Sequence, residues 1–341
     1  MKGRQGLRLA LGALLGGALL AFFFRGVDLQ ALRAAFGQAD PWALAGVAVL
    51  TVVMYVVRSW RWGALLAPLT RARFIDLLSA TLVGFMSGLL VPRAGEVLRP
   101  FLIGRRQGIA ASAAFASIIL ERLTDLIVVL LLFGAYLYVL PLPEQQTRGA
   151  LLDGLKVAGG LAGLGALGVL AALVAFQVLG DRALLLLERP LGLLPARLAR
   201  PLLEMARHFA AGLSVLRAPA AHLAALFGQS LVVWLLIALS LWVSNLAFGI
   251  RLPFHSTFLM LGFLTVGVAV PTPGMVGGFH QSYKLALTQA FGVDEATATA
   301  AGIASHALTN LPVLVLGLLF LPREGLTVSG LARVSGGEDD K

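Results

Sequence analysis

Apolar runs of about twenty residues with few charges recur along this chain, at residues 7–24, 42–57, 113–140, 157–179, 222–248 and 297–321. A helix needs about 20 such residues to cross a ~30 Å hydrocarbon layer. In lipid every backbone polar group must be satisfied internally, and a helix does this within one segment. Hydrophobic residues make up 58% of the chain and charged ones 13%, against about 25% charged in soluble domains. The expected fold class is therefore all-α integral membrane. The net charge of +10 is concentrated at the ends of the apolar runs, as the positive-inside rule requires, so no nucleic-acid partner is expected. Arginine supplies 23 of the 27 basic residues. That suits bidentate phosphate binding, and a GC-rich genome accounts for it equally well.

Two short stretches repeat. Val91-Pro92-Arg93-Ala94-Gly95-Glu96-Val97 is echoed by Val270-Pro271-Thr272-Pro273-Gly274-Met275-Val276, and Leu123-Thr124-Asp125-Leu126 by Leu308-Thr309-Asn310-Leu311. Gly84-Phe85 and Gly262-Phe263 precede them, one residue out of register. Each Pro/Gly motif follows a short apolar run, at residues 74–91 and 252–270. Interrupted apolar segments at matching places in two halves are the sequence pointer to a transporter's binding site.

Topology follows from the charges. Residues 7–24 could be a signal peptide, but no small-residue cleavage site follows, so a retained first span is expected, with Gly12 and Gly16 as a close-packing step. Arg58, Arg61, Arg71 and Arg73, beside Trp60 and Trp62, read as a cytoplasmic interface. If residues 74–91 crossed fully, Arg93, Arg99, Arg105 and Arg106 would be stranded outside, so this segment is expected to dip in and return. Span four, with Gly159, Gly163 and Gly168, reads as tightly packed. The arrangement predicted is about six full spans plus two re-entrant helical hairpins, in one polytopic domain over residues 1–321. Its halves, 42–140 and 222–321, are inverted repeats. The basic stretch 180–221 reads either as amphipathic helices on an anionic leaflet or as a plain linker. Residues 322–341 read as a polar tail, and both termini are expected in the cytoplasm.

Several residues could carry chemistry. Glu121 lies ~13 Å into its span at 1.5 Å per residue, and Asp125 is one turn on. Charges at such depth normally line a polar cavity, or else Arg122 or an arginine of the first motif neutralises them structurally. Superposing the two Leu-Thr-Asx-Leu motifs matches Glu121 with His306 and Asp125 with Asn310. His306 could titrate near neutrality or be a satisfied hydrogen-bonding residue. Arg93, Glu96 and Arg99, three residues apart, would line one side of a helix beginning after Pro92, whose N-terminus with flanking arginines suits phosphate. In the second motif Pro271, Thr272, Pro273, Gly274 and Gly277 break the helix, and His280, Gln281 and Lys284 follow on the returning segment. Lys284 could equally be a snorkelling anchor.

No metal site and no cofactor are expected: cysteine is absent and five scattered histidines have no zinc spacing. No GxxxxGK[ST], GxSxG or HExxH occurs, so an enzyme is not the favoured reading.

Pro92-Arg93, Gly95-Glu96-x-x-Arg99, Glu121-Arg122-x-x-Asp125 and Pro271-Thr272-Pro273-Gly274-x-Val276-Gly277 together resemble the lysylphosphatidylglycerol synthase transmembrane (flippase-like) family over about residues 40–321. Two positions depart from the family's pattern: Met275 stands where a second glycine is common, and His280 where many members have glutamate. The resemblance implies handling of membrane lipids in a bacterial inner membrane, by movement of an anionic or polyprenyl-phosphate-linked headgroup between leaflets. It does not imply the synthase activity, which needs a soluble catalytic domain. Three readings result: a lipid flippase, a membrane-embedded enzyme acting on lipid-linked substrates through Glu96, Glu121 and Asp125, and a non-transporting partner of a lipid synthase. Membrane lipids are the expected partners, with a homo-oligomer or a lipid synthase as further ones.

Overall fold

The computed structural model describes residues 28–139, 150–180, 182–183, 195–270 and 272–327. The predicted first span, with Gly12 and Gly16, lies outside these, as do Pro271 and the tail beyond residue 327. Every regular element among the described residues is helical: α1 (Leu29–Gly37), α2 (Pro41–Leu66), α3 (Phe74–Leu90), α4 (Ala94–Gln107), α5 (Ala111–Tyr138), α6 (Ala150–Leu179), α7 (Ala196–Gly212), α8 (Ala220–Ala247), α9 (Ser256–Ala269), α10 (Gly278–Leu285) and α11 (Glu295–Phe320), with short 3₁₀ and π turns between or after them.

Local chemistry sets the helix starts. The Asp40 carboxylate accepts the Trp42 N–H at 2.9 Å, with Pro41 at the first helical position. Asp294 accepts the Thr297 N–H at 3.0 Å and so begins α11. Among the described residues, four helices are long and apolar enough to cross a bilayer: α2, α6, α8 and α11. Leu161, Leu164, Leu167 and Val178 of α6 are exposed, a stripe that lipid covers at no cost and water would not. The described length of α5 matches such a span, but Glu121, Arg122 and Asp125 interrupt it.

The two short apolar helices, α3 and α9, are each followed by a turn and a helix that runs back along them. Both returns are made possible by glycine. A Cβ added at Gly95 would stand 2.3 Å from the Gly84 carbonyl oxygen, and one at Gly278 would stand 2.3 Å from that of Gly267. The motif alignment sets Gly95 against Gly274; the helix crossing instead makes Gly278 its counterpart, because the second turn is longer.

α5 organises the interior. Its first part (Ala114, Ala116, Ile118, Leu120) packs in one apolar core with α2, α3 and α4. Its later part (Val128, Val129, Leu132, Phe133, Tyr136) packs in another with α8, α9, α10 and α11. The two helix–turn–helix units thus sit at opposite ends of α5, and their turns approach each other beside Arg122.

Other expectations are revised here. In α6 only Gly159 and Gly163 pack on α5, while Gly168 meets nothing within 4 Å. The basic stretch contains a docked helix rather than a plain linker: a Cβ at Gly212 would lie 2.2 Å from the Ala113 carbonyl, and Leu213 and Val215 enter the first core. The first residues of the predicted polar tail are packed against the helices. Asp76 is paired with Arg106 at 3.1 Å and with Arg323 at 2.9 Å, Glu324 is buried against Ser79 and Arg106, and this clamps the 3₁₀ turn Leu321–Glu324 to α3 and α4.

Candidate functional site

The site begins with a spacing on α2. Tyr55, Arg58 and Arg61 recur every three residues and share one helix face. α2 continues without a break to Leu66, so the arginines enter the interior instead of marking an interface. Arg61 is 1% exposed and Trp62 fully buried, whereas Trp60 remains exposed. The sequence reading of Arg58, Arg61 and Trp62 as interfacial is therefore corrected.

Arg61 grips Asp125 with both terminal nitrogens, and its Nη1 also donates to Ser230 Oγ at 2.8 Å. Arg99, from α4, donates to both oxygens of Glu121 at 3.0 and 3.1 Å. Arg122 pairs with Glu121 and lies 3.6 Å from Asp125. Glu121 is completely buried and Asp125 nearly so. Aromatic faces hold the cations. The Arg99 guanidinium lies 4.5 Å from the Trp62 ring, and Arg58, Arg99 and Arg122 all lie within 6.0 Å of the Phe85 centroid. Four buried or half-buried arginines outnumber the two buried carboxylates; Arg93 and Glu96, nearer the surface, balance each other, and the surplus positive charge faces a cavity.

That cavity, about 330 Å³, lies between the two turns. Of the predicted residues it is lined by Arg93, Glu96, Arg99, Arg122, Thr272 and Asn310. Both turns are strained at their tips. Arg93 and Met275 are the only non-glycine residues with positive φ among the described residues, at 63° and 58°, and both line this cavity. Such conformations cost about 1–3 kcal/mol and concentrate at ligand-binding sites. The tips also touch: a Cβ at Gly274 would stand 3.8 Å from the Leu89 carbonyl oxygen.

The remaining predicted residues stand behind this lining. Glu121 and Asp125 back it through the arginines. His306 Nε2 is 2.7 Å from the Gly274 carbonyl, and its ring is 4.4 Å from that of His280, whose Nδ1 accepts the Gly277 N–H at 3.3 Å. The two histidines thus brace the second turn, with Pro273 at its start. Gln281 follows on α10 with a buried Oε1. Lys284 is drawn away, paired with Glu295 at 2.9 Å. Sequence reasoning missed Tyr55, Arg58, Arg61 and Phe85; the three-residue period on α2 is the signal that could have found the first three. No three His, Cys, Asp or Glu side chains gather as a metal site among the described residues.

Residues 9–317 match the family model described as the lysylphosphatidylglycerol synthase TM region. The chain belongs to that family. Membership in the lysylphosphatidylglycerol synthase TM family makes it a membrane protein with a lipid-related role. The chain is also 27% identical over 340 residues to "Glycosyltransferase AglD" of Haloferax volcanii, an alignment covering 90% of this chain and 53% of that protein. It therefore spans about half the length of the curated relative it matches.

Proposed function

We propose that this protein is a lipid flippase: it takes an anionic phospholipid or polyprenyl-phosphate-linked headgroup into the cavity between the two turns and passes it between leaflets of the bacterial cytoplasmic membrane. The observation that carries the reading is the cavity itself, which is edged by Arg93, Arg99 and Arg122 and backed by more buried arginine than carboxylate. Arginine presents a planar fork that matches phosphate oxygens, and a surplus of buried cations favours an anionic occupant.

In this reading α3–α4 and α9–α10 are re-entrant hairpins entering from opposite leaflets, related as an inverted repeat, within about six full spans and with both termini cytoplasmic. The equal glycine crossings and the placement of the two units at opposite ends of α5 support it. Acyl or prenyl tails remain in the bilayer while the headgroup crosses.

Reconstitution tests the proposal. Vesicles containing only this protein should accelerate leaflet exchange of a fluorescent phosphatidylglycerol or a short polyprenyl phosphate, and Arg122→Gln should slow it. No acceleration with either lipid would defeat the proposal.

A second reading is an enzyme acting on lipid-linked substrates, favoured by the name of the Haloferax volcanii relative, a glycosyltransferase. Of its candidate groups, Glu121 and Asp125 are held by guanidinium groups, which leaves them poorly placed as ligands or bases, and Glu96 alone lines the cavity as a carboxylate. Product formation from a lipid-linked sugar, abolished by Asp125→Asn, would support that reading over transport.

A further inference from the structure

A second cavity of about 230 Å³ adjoins the first and shares Tyr55, Thr265, Val268, Met275 and Asn310 with it. Its walls are largely aliphatic, including Leu50, Met54, Leu236 and Ile237, yet Arg58 is among them. Arg58 is 5% exposed, and its Nε has no hydrogen-bond partner. Trp234 Nε1 and Ser240 Oγ, of residues lining the same cavity, are also unpartnered. Three polar groups without partners around one apolar cavity are costly unless something fills it.

The charges indicate what fills it. Arg99 matches Glu121, and Arg61 matches Asp125, each with two nitrogens on one carboxylate. Arg122 shares Glu121 with Arg99, and Arg93 and Glu96 stand at the edge of the first cavity, so five guanidinium groups face three carboxylates and two positive charges are unmatched. Arg122 lines the first cavity, and Arg58 lines the second. Both stand around the Phe85 ring, at 6.0 and 5.0 Å from its centroid, so one small headgroup could reach both. A phosphodiester carries a single negative charge and would leave Arg58 buried and uncompensated, which is strongly unfavourable.

We infer that the two cavities form one bipartite site for a lipid diphosphate, with one phosphate beside Arg122, the other beside Arg58, and the start of the hydrocarbon chain against the aliphatic wall. This rests on the proposed reading that the first cavity takes a lipid headgroup, and it narrows the substrate to a class with two charged phosphates.

The test is equilibrium binding to the purified full chain in detergent, using farnesyl diphosphate, farnesyl methyl phosphate (the same tail with one charge) and inorganic diphosphate. Farnesyl diphosphate should bind at least about tenfold more tightly than either of the others, a gap of about 1.4 kcal/mol. Arg58→Gln should erase the gap between the two prenyl ligands without weakening the diester, Arg58→Lys should keep most of it, and Arg122→Gln should weaken both ligands. Equal affinity for the two prenyl ligands overturns the inference, as does a gap that survives Arg58→Gln. Either result leaves the headgroup site standing if Arg122→Gln still weakens the diester. Inorganic diphosphate binding as tightly as the farnesyl form would overturn the lipid assignment. Binding of neither prenyl ligand would overturn both this inference and the proposed function. Should Arg58→Gln fail to fold, the wild-type gap and its loss or retention in Arg58→Lys decide.

Discussion

At the scale of single residues, the interior of this protein is governed by desolvation. Glu121 is fully buried and meets Arg99, Arg122 and Arg61. Removing its charge strands cations that have no water to turn to, so Glu121→Gln is expected to destabilise the fold by about 3–5 kcal/mol. A thermal melt in detergent would show this as a fall in Tm, and an unchanged Tm would mean the network carries little. Arg93 offers the contrast, being exposed at the mouth of the cavity. Arg93→Gln should keep stability within about 0.5 kcal/mol while slowing lipid exchange; a normal exchange rate would remove Arg93 from the site. Glu121 and Asp125 could be picked out in the sequence because a charge within an apolar run is conspicuous, and Arg99 because it recurs three residues after Glu96 beside the Pro/Gly motif. Arg58 and Arg61 could not, because an arginine near the end of a span looks the same whether it snorkels outward or turns inward.

At the scale of elements, glycine decides which helices touch. Gly95 and Gly278 each face a carbonyl oxygen that a methyl group would strike at 2.3 Å, and the opposing atoms are backbone. Gly95→Ala and Gly278→Ala should each cost about 1–3 kcal/mol as the paired helices are forced apart, with lipid exchange falling in both. Gly168 meets nothing within 4 Å, and Gly168→Ala should be neutral or stabilising by up to about 1 kcal/mol, since alanine is the better helix former. Melting the three variants side by side checks the contrast: equal effects would mean the crossings are not tight. The helices themselves were legible, since apolar length and caps such as Asp40-Pro41 are local properties. The tight partners of these glycines were not, because a small residue promises close approach without saying to what. Gly159, Gly163 and Gly168 read alike in sequence, and only the first two meet a neighbour.

At the scale of the whole molecule, two helix–turn–helix units lie at opposite ends of α5 and meet tip to tip. The chain contains no cysteine, so introduced thiols report cleanly. Paired cysteines at Leu89 and Gly274 should be bridged by a short bifunctional reagent in intact membranes, because the two turns are in contact there; an absence of bridging would separate the turns. Single cysteines at Arg105 and Asp294 should react with an impermeant label from opposite faces of the membrane, as the inverted arrangement requires. Labelling of both from one face would refute it.

What the sequence determined by itself is the solvent and the kind of structure: apolar runs of this length must be helices in lipid, since nothing else satisfies their backbone there. It also marked two broken places along the chain, because proline and glycine act on their own neighbours. Only the tertiary structure decided which charges share a cavity. Ion pairing depends on distance in space, and Arg61 meets Asp125 across 64 positions of chain that no local pattern connects.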